Sequence, residues 1–233
     1  MKWTPPLFAM AALFAPVSPV HAGVVFYDSF EAPVVTGRTP RAAGGDLAKA
    51  DPSRPGVAAA WSRFEDQPNL GEGGGSVVAG LTNQAARTGT QSLYIEATRL
   101  STPYIGALFV SRPIPIDGGA GYKACIWGRN DPQNPLVQAA AQLFLKIEVD
   151  FFSDEGKTEV GESQYMLHPL PGGKDHRILS TEWRSMGICF HAPAGAKTMV
   201  LSFRCDSSAE KGAITGALYL DDFTVETDPP LTP

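Results

Sequence analysis

The stretch Leu143-Phe144-Leu145-Lys146-Ile147-Glu148-Val149-Asp150-Phe151-Phe152 decides the fold class. Successive side chains of a strand point to opposite faces. Leu143, Leu145, Ile147, Val149 and Phe151 therefore share one face, and Phe144, Lys146, Glu148, Asp150 and Phe152 share the other. The first set predicts a core face. The second mixes aromatic and charged groups, as on the half-exposed side of an antiparallel sheet. The one helical candidate, residues 137–145, is rich in Ala and Gln and competes with the start of this strand.

The same period appears elsewhere. In Tyr122-Lys123-Ala124-Cys125-Ile126-Trp127-Gly128-Arg129, Tyr122, Ala124 and Ile126 belong inward, leaving Lys123, Cys125, Trp127 and Arg129 together. Further strands are predicted at residues 24–31, 57–64, 92–97, 107–113, 183–190, 198–205 and 217–226. Turns are predicted at 86–91 and 153–156, and a Pro/Gly loop at 168–174. Residues 36–80 shift to Gly, Ala and Pro and are expected to form long surface loops around one short strand. Many short strands with regular turn signals predict an all-β fold, a two-sheet antiparallel β-sandwich of the jelly-roll kind.

The last predicted strand carries Asp221-Asp222 inside the apolar run Ala217-Leu218-Tyr219-Leu220 to Phe223. Adjacent residues face opposite ways, so one of the two carboxylates should look inward. A buried carboxylate must be paired, hydrogen-bonded or metal-bound.

Residues 1–22 read as a secretory signal peptide: Lys2, an apolar run over 7–15, and Val20-His21-Ala22 before Gly23. That run is too short to span a bilayer, for which about 20 apolar residues are needed. The expectation is a secreted or periplasmic monomer with one domain at 23–227 and a short polar tail at 228–233. A formal net charge of −5 without a basic stripe argues against a nucleic-acid partner. Of the three cysteines, Cys125 and Cys189 are predicted on one face, with their bridging left open, and Cys205 on a core-facing alternation.

If the strands at 122–129 and 143–152 contribute to one sheet, Trp127, Arg129, Glu148 and Asp150 line one concave surface, with Lys146 beside them. An aromatic ring can cover the apolar face of a sugar while charged groups meet its hydroxyls. The plain alternative is a charged face that only keeps the protein soluble. Trp183 reads as a core lid. Trp61 could grip a ligand or pin a loop.

Catalytic signals are weak. Glu148-Val149-Asp150 resembles the start of the Glu-x-Asp-x(-x)-Glu strand of family 16 glycoside hydrolases, but Phe152 and Ser153 stand where the third carboxylate belongs. No Gly-x-Ser-x-Gly elbow occurs. Tyr165, His168 and Arg204 are residue types that some lyases use, yet no spacing singles them out.

Four pieces carry a family resemblance: Asp28-Ser29-Phe30-Glu31, Arg87-Thr88-Gly89-Thr90-Gln91-Ser92-Leu93, Thr181-Glu182-Trp183 leading to Phe190-His191-Ala192-Pro193, and Leu220-Asp221-Asp222-Phe223. With them the chain resembles carbohydrate-binding modules of families 4, 9 and 22, which are galactose-binding-like jelly rolls. The resemblance implies non-catalytic binding of a polysaccharide or oligosaccharide on a concave sheet. It also implies a structural calcium where the chain ends meet, held by Asp221 or Asp222 with oxygens near Glu31, Thr88 and Gly89. Rival readings are an envelope structural or protein-interaction domain, and a degenerate jelly-roll glycoside hydrolase or lyase.

Overall fold

The computed structural model describes residues 23–31, 38–40, 61–64, 76–100, 104–138, 143–154, 157–170, 181–207 and 214–228. The expected signal peptide, the tail beyond 228 and much of the 36–80 region lie outside them. The described residues form fourteen strands: β1 (Val24–Asp28), β2 (Arg38–Pro40), β3 (Trp61–Phe64), β4 (Ser76–Thr82), β5 (Ser92–Leu100), β6 (Tyr104–Ser111) and β7 (Ile114–Pro115). The second half adds β8 (Gly121–Asn130), β9 (Val137–Gln138), β10 (Leu143–Phe152), β11 (Gln164–Leu170), β12 (Arg184–His191), β13 (Thr198–Ser207) and β14 (Ile214–Asp228).

The strand β10 has the bounds that its alternation predicts. Two expectations are corrected. The 36–80 region contributes β2, β3 and the start of β4 rather than a single strand, and the loop expected from residue 168 begins inside β11. Pro169 misled the reading there: β11 lies at the edge of its sheet, where a proline's missing N–H costs no central ladder bond.

The strands form two antiparallel sheets. The larger runs β12-β8-β14-β5-β4-β2, with β1 and β9 also paired to β14. The smaller runs β11-β10-β13-β6-β3, with β7 paired to β13. Between them, Ala124 and Ile126 of β8, Leu145, Ile147, Val149 and Phe151 of β10, and Leu218, Leu220 and Phe223 of β14 join one buried core. Each of these side chains has been moved from water into a close-packed interior, the main favourable term in folding.

The two sheets are also tied along one side. His168 Nε2 lies 2.8 Å from the Gly187 carbonyl, and Gln164 donates to the His191 carbonyl at 3.1 Å. These bonds take up edge carbonyls of β12 that would otherwise be open to another strand. Burial holds the His168 imidazole below its usual pKa, against the contrary effect of the Gly187 carbonyl. Near the two ends of the described residues, Gly23 N donates to Thr227 Oγ1 at 2.8 Å and Thr227 N to the Gly23 carbonyl at 2.9 Å.

Sheet membership corrects the expected ligand surface. Trp127 and Arg129 lie on β8 in the larger sheet, whereas Lys146, Glu148 and Asp150 lie on β10 in the smaller. Both sets point away from the shared core, so they occupy opposite outer faces. They cannot line one concave surface.

Candidate functional site

On the smaller sheet, Glu148 is in register with Tyr165 of β11 and with Ser202 of β13. Lys146 Nζ lies 2.8 Å from Glu148 Oε2 and 4.7 Å from the Tyr165 ring centroid. Ser163 donates to Asp150 Oδ1. Tyr165 is 59% exposed, one of the few large hydrophobic residues described as exposed. This face therefore offers an exposed tyrosine with an ammonium over one face of its ring and two carboxylates nearby, each held by a neighbour. Sequence alone does not single out Tyr165 as a ligand residue, because the Pro/Gly signals from 168 onward obscure the strand that carries it. The available signal was the alternation of Gln164, Tyr165, Met166 and Leu167 across from β10. Trp61 begins β3, in register with Ser111; its side chain is outside the described set.

The outer face of the larger sheet is built differently. The Arg87 guanidinium sits 3.8 Å from the Trp127 ring centroid, so one face of that ring is already covered. Arg129 lies 5.4 Å from the Trp183 ring and 5.6 Å from the Tyr219 ring. Trp183 packs on Tyr94, Tyr219 and Ala85, a small cluster apart from the main core. The reading of Trp183 as a lid holds for this outer cluster and not for the space between the sheets.

Beside this face lies the Asp221-Asp222 pair. Strict alternation from Leu218 and Leu220 would send residue 222 into the core. Instead β14 shifts register against β8 between Asp221, opposite Trp127, and Thr224, opposite Cys125. Ile126 of β8 is thus opposed by two residues of β14, Asp222 and Phe223, a β-bulge. Asp222 takes the extra position with φ of 47°, and Phe223 and Val225 regain the core. Both carboxylates are buried, but on the outer side beneath the turn formed by residues 87–91.

Arg87 N and Thr88 N donate to Asp221 Oδ2 at 2.7 and 3.3 Å, and Asp222 N donates to Asp221 Oδ1 at 2.8 Å. Asp222 accepts from the Arg87 guanidinium, from Thr88 Oγ1 at 2.6 Å and from Tyr27 OH at 2.8 Å. Glu31 accepts from Thr90 N at 3.0 Å, Thr90 Oγ1 at 2.8 Å and Gln91 N at 3.2 Å, and Gln91 Nε2 donates to the Phe30 carbonyl at 2.7 Å. The structure thus brings Asp221, Asp222, Glu31, Thr88 and Gly89 together. Burial is the main cause that raises the Asp221 carboxyl to about 7, with the Asp222 charge adding to it and the Arg87 amide opposing it. Burial, then the bond to Asp222, also raises the Tyr27 phenol.

Calcium takes six to eight oxygens. Here the carboxylates already accept from N–H and O–H groups, one of them from a guanidinium cation. No three His, Cys, Asp or Glu side chains among the described residues converge as a metal group. As arranged, these side chains do not fit the ion: it would have to displace the Arg87 head from Asp222.

No protein-family model and no curated protein matches the chain. The solved structures similar to it include carbohydrate-binding modules of families 22 and 4, the families that the sequence resembles. One is the paired CBM22-1 and GH10 modules of Clostridium thermocellum endo-1,4-β-D-xylanase 10B complexed with xylohexaose, at 15% identity and TM-score 0.48. The match covers 88% of this chain and 28% of that one. A second is the CBM22-1 xylan-binding domain of Paenibacillus barcinonensis Xyn10C, at 13% identity and TM-score 0.42, covering 88% and 95%. A xylan-binding domain of CBM 22 matches at 13% identity and TM-score 0.43, covering 91% and 99%. All three scores are below 0.5, so the functional reading that follows is drawn from this chain's own side chains.

Proposed function

We propose that this protein is an exported, non-catalytic carbohydrate-binding protein that recognises a polysaccharide or oligosaccharide on the outer face of its smaller sheet. The observation that carries the reading is the exposed Tyr165 ring set against Lys146, with Glu148 and Asp150 alongside. An open ring stacks on the C–H face of a pyranose, and the flanking charges meet its hydroxyls. Glu148 is engaged by the Lys146 ammonium and Asp150 by the Ser163 hydroxyl. That arrangement fixes the side chains for contact with hydroxyl groups. Trp127 and Arg129 lie on the far side of the core and take no part in this face. Export rests on the sequence of residues 1–22; no helix among the described residues is long and apolar enough to cross a membrane.

Affinity gels containing xylan, cellulose or mixed-linkage glucan test the proposal. Retention by one of them should be lost in Tyr165→Ala and kept in Trp127→Phe. Unchanged retention of Tyr165→Ala would remove this face from the assignment, and product release from any of the gels would overturn the non-catalytic reading.

One observation favours a protein-contact role as a second reading: Tyr165, Met166 and Leu167 are exposed in succession on the edge strand β11. Such an edge can pair with another chain. Concentration-dependent association in light scattering, abolished by Met166→Lys, would support it in place of glycan binding.

A further inference from the structure

We propose that Arg129 forms a second binding site, on the outer face of the larger sheet, for the carboxylate of an acidic sugar. Arg129 stands opposite Tyr219 in the β8–β14 register, and its guanidinium is within cation–π reach of both Trp183 and Tyr219. Its Nε is buried with no hydrogen-bond partner, and no described carboxylate forms an ion pair with it. The acid next in the chain but one, Asp131, receives the Tyr219 hydroxyl at 2.9 Å and the Gln133 amide at 2.9 Å. Two positions along β8, Trp127 carries the Arg87 guanidinium, which by contrast is paired with Asp222.

A half-buried guanidinium with five donors is seldom left without an acceptor. Its planar fork suits a carboxylate, which can accept two parallel hydrogen bonds. The partly buried ring of Trp183 adds an apolar wall for a sugar ring, while Tyr219, at 3% exposure, packs beneath it. A uronic acid presents both features in one residue, whereas a neutral sugar lacks the anion and a simple carboxylic acid lacks the ring. The site lies across the core from Tyr165, so it stands or falls separately from the glycan face proposed above.

Calorimetric titration of the full chain with an oligogalacturonide tests the assignment, with acetate as the free-carboxylate arm and a neutral xylo-oligosaccharide as the arm for the Tyr165 face. Oligogalacturonide binding should fall at least tenfold in Arg129→Gln and in Trp183→Ala, weaken in Arg129→Lys, and persist in Tyr165→Ala. Weakening with added salt should accompany it in the wild type. Absence of binding to the wild type, or binding unchanged in both Arg129→Gln and Arg129→Lys, would overturn the site. Acetate binding as tightly as the oligogalacturonide would overturn the sugar assignment. Should Arg129→Gln fail to fold, Arg129→Lys and Trp183→Ala carry the same test.

Discussion

Gly89 and Glu31 are so closely apposed that a Cβ on the glycine would fall on the Glu31 carboxylate. Gly89 also has φ of +63°, in the left-handed region that favours glycine. Gly89→Ala should therefore destabilise by at least about 1–2 kcal/mol from backbone strain alone. Displacing Glu31 from the Thr90 and Gln91 amides adds to that. Urea unfolding measures the loss, and a change within error would show that the 87–91 turn does not depend on this contact.

Stability should fall as pH rises through about 7 on account of Asp221. Its folded carboxyl is raised to about 7, above the unfolded value of about 3.9. The folded state therefore prefers the protonated form, and the contribution is complete at low pH and lost as the group ionises. The slope from one group cannot exceed about 1.4 kcal/mol per pH unit. His168 acts in the opposite direction: its lowered pKa gives stability that is present above the unfolded value and is lost as pH falls through the folded one. Denaturation of wild type and Asp221→Asn from pH 5 to 8 separates the two. The difference between the curves should change with pH; a constant difference would count against a raised Asp221.

The Asp221-Asp222 pair beneath the 87–91 turn should be indifferent to calcium while Arg87 holds Asp222. Adding a chelator to the purified protein should leave the thermal midpoint in place, and a fall restored by calcium would reverse this expectation. Arg87→Ala should lower the midpoint with or without the ion. It removes the guanidinium from a buried carboxylate, and breaking such a pair costs roughly 3–5 kcal/mol when both charges are buried. Arg87 keeps a side-chain exposure of 31%, so a smaller loss is expected.

Phe223→Ala should cost about 3–5 kcal/mol, the usual range for removing a buried aromatic side chain. Phe223 is fully buried, with Phe26 at 5.9 Å and Phe203 at 6.4 Å between ring centroids. A loss below about 1 kcal/mol would mean that the bulge at Asp222 does not return β14 to the core.

The two described thiols should differ in reactivity. Cys189 is exposed, while Cys125 is half-buried and burial raises its pKa. The thiolate is the reactive form. A thiol-specific dye should show a fast phase that disappears in Cys189→Ser and survives in Cys125→Ser.

Local pattern made much of this fold legible. The residues of β10 and β8 alternate without interruption, so their inward and outward faces follow from sequence alone. Which strands share a sheet does not, because register and partner are set by contacts between distant segments. That is why Trp127 and Glu148 were grouped and then found on opposite sides of the core. The Asp221-Asp222 pair failed in another way: a regular alternation cannot foresee an inserted residue, and the bulge places both carboxylates on the outer side. The resemblance links the 87–93 and 220–223 pieces through a calcium, whereas in the structure the turn bonds Asp221 and Asp222 directly.

The mutual bonds between Gly23 and Thr227 give the folded body a near-circular path. In topological terms the fold has no privileged starting point. A short peptide linking those two positions would add little closure entropy, and the chain could be reopened at an exposed turn such as 118–119, with its sheets retaining their order. A neighbouring body attached at either end would hang from the β1–β14 seam. The Tyr165 face, on the other sheet, would remain clear.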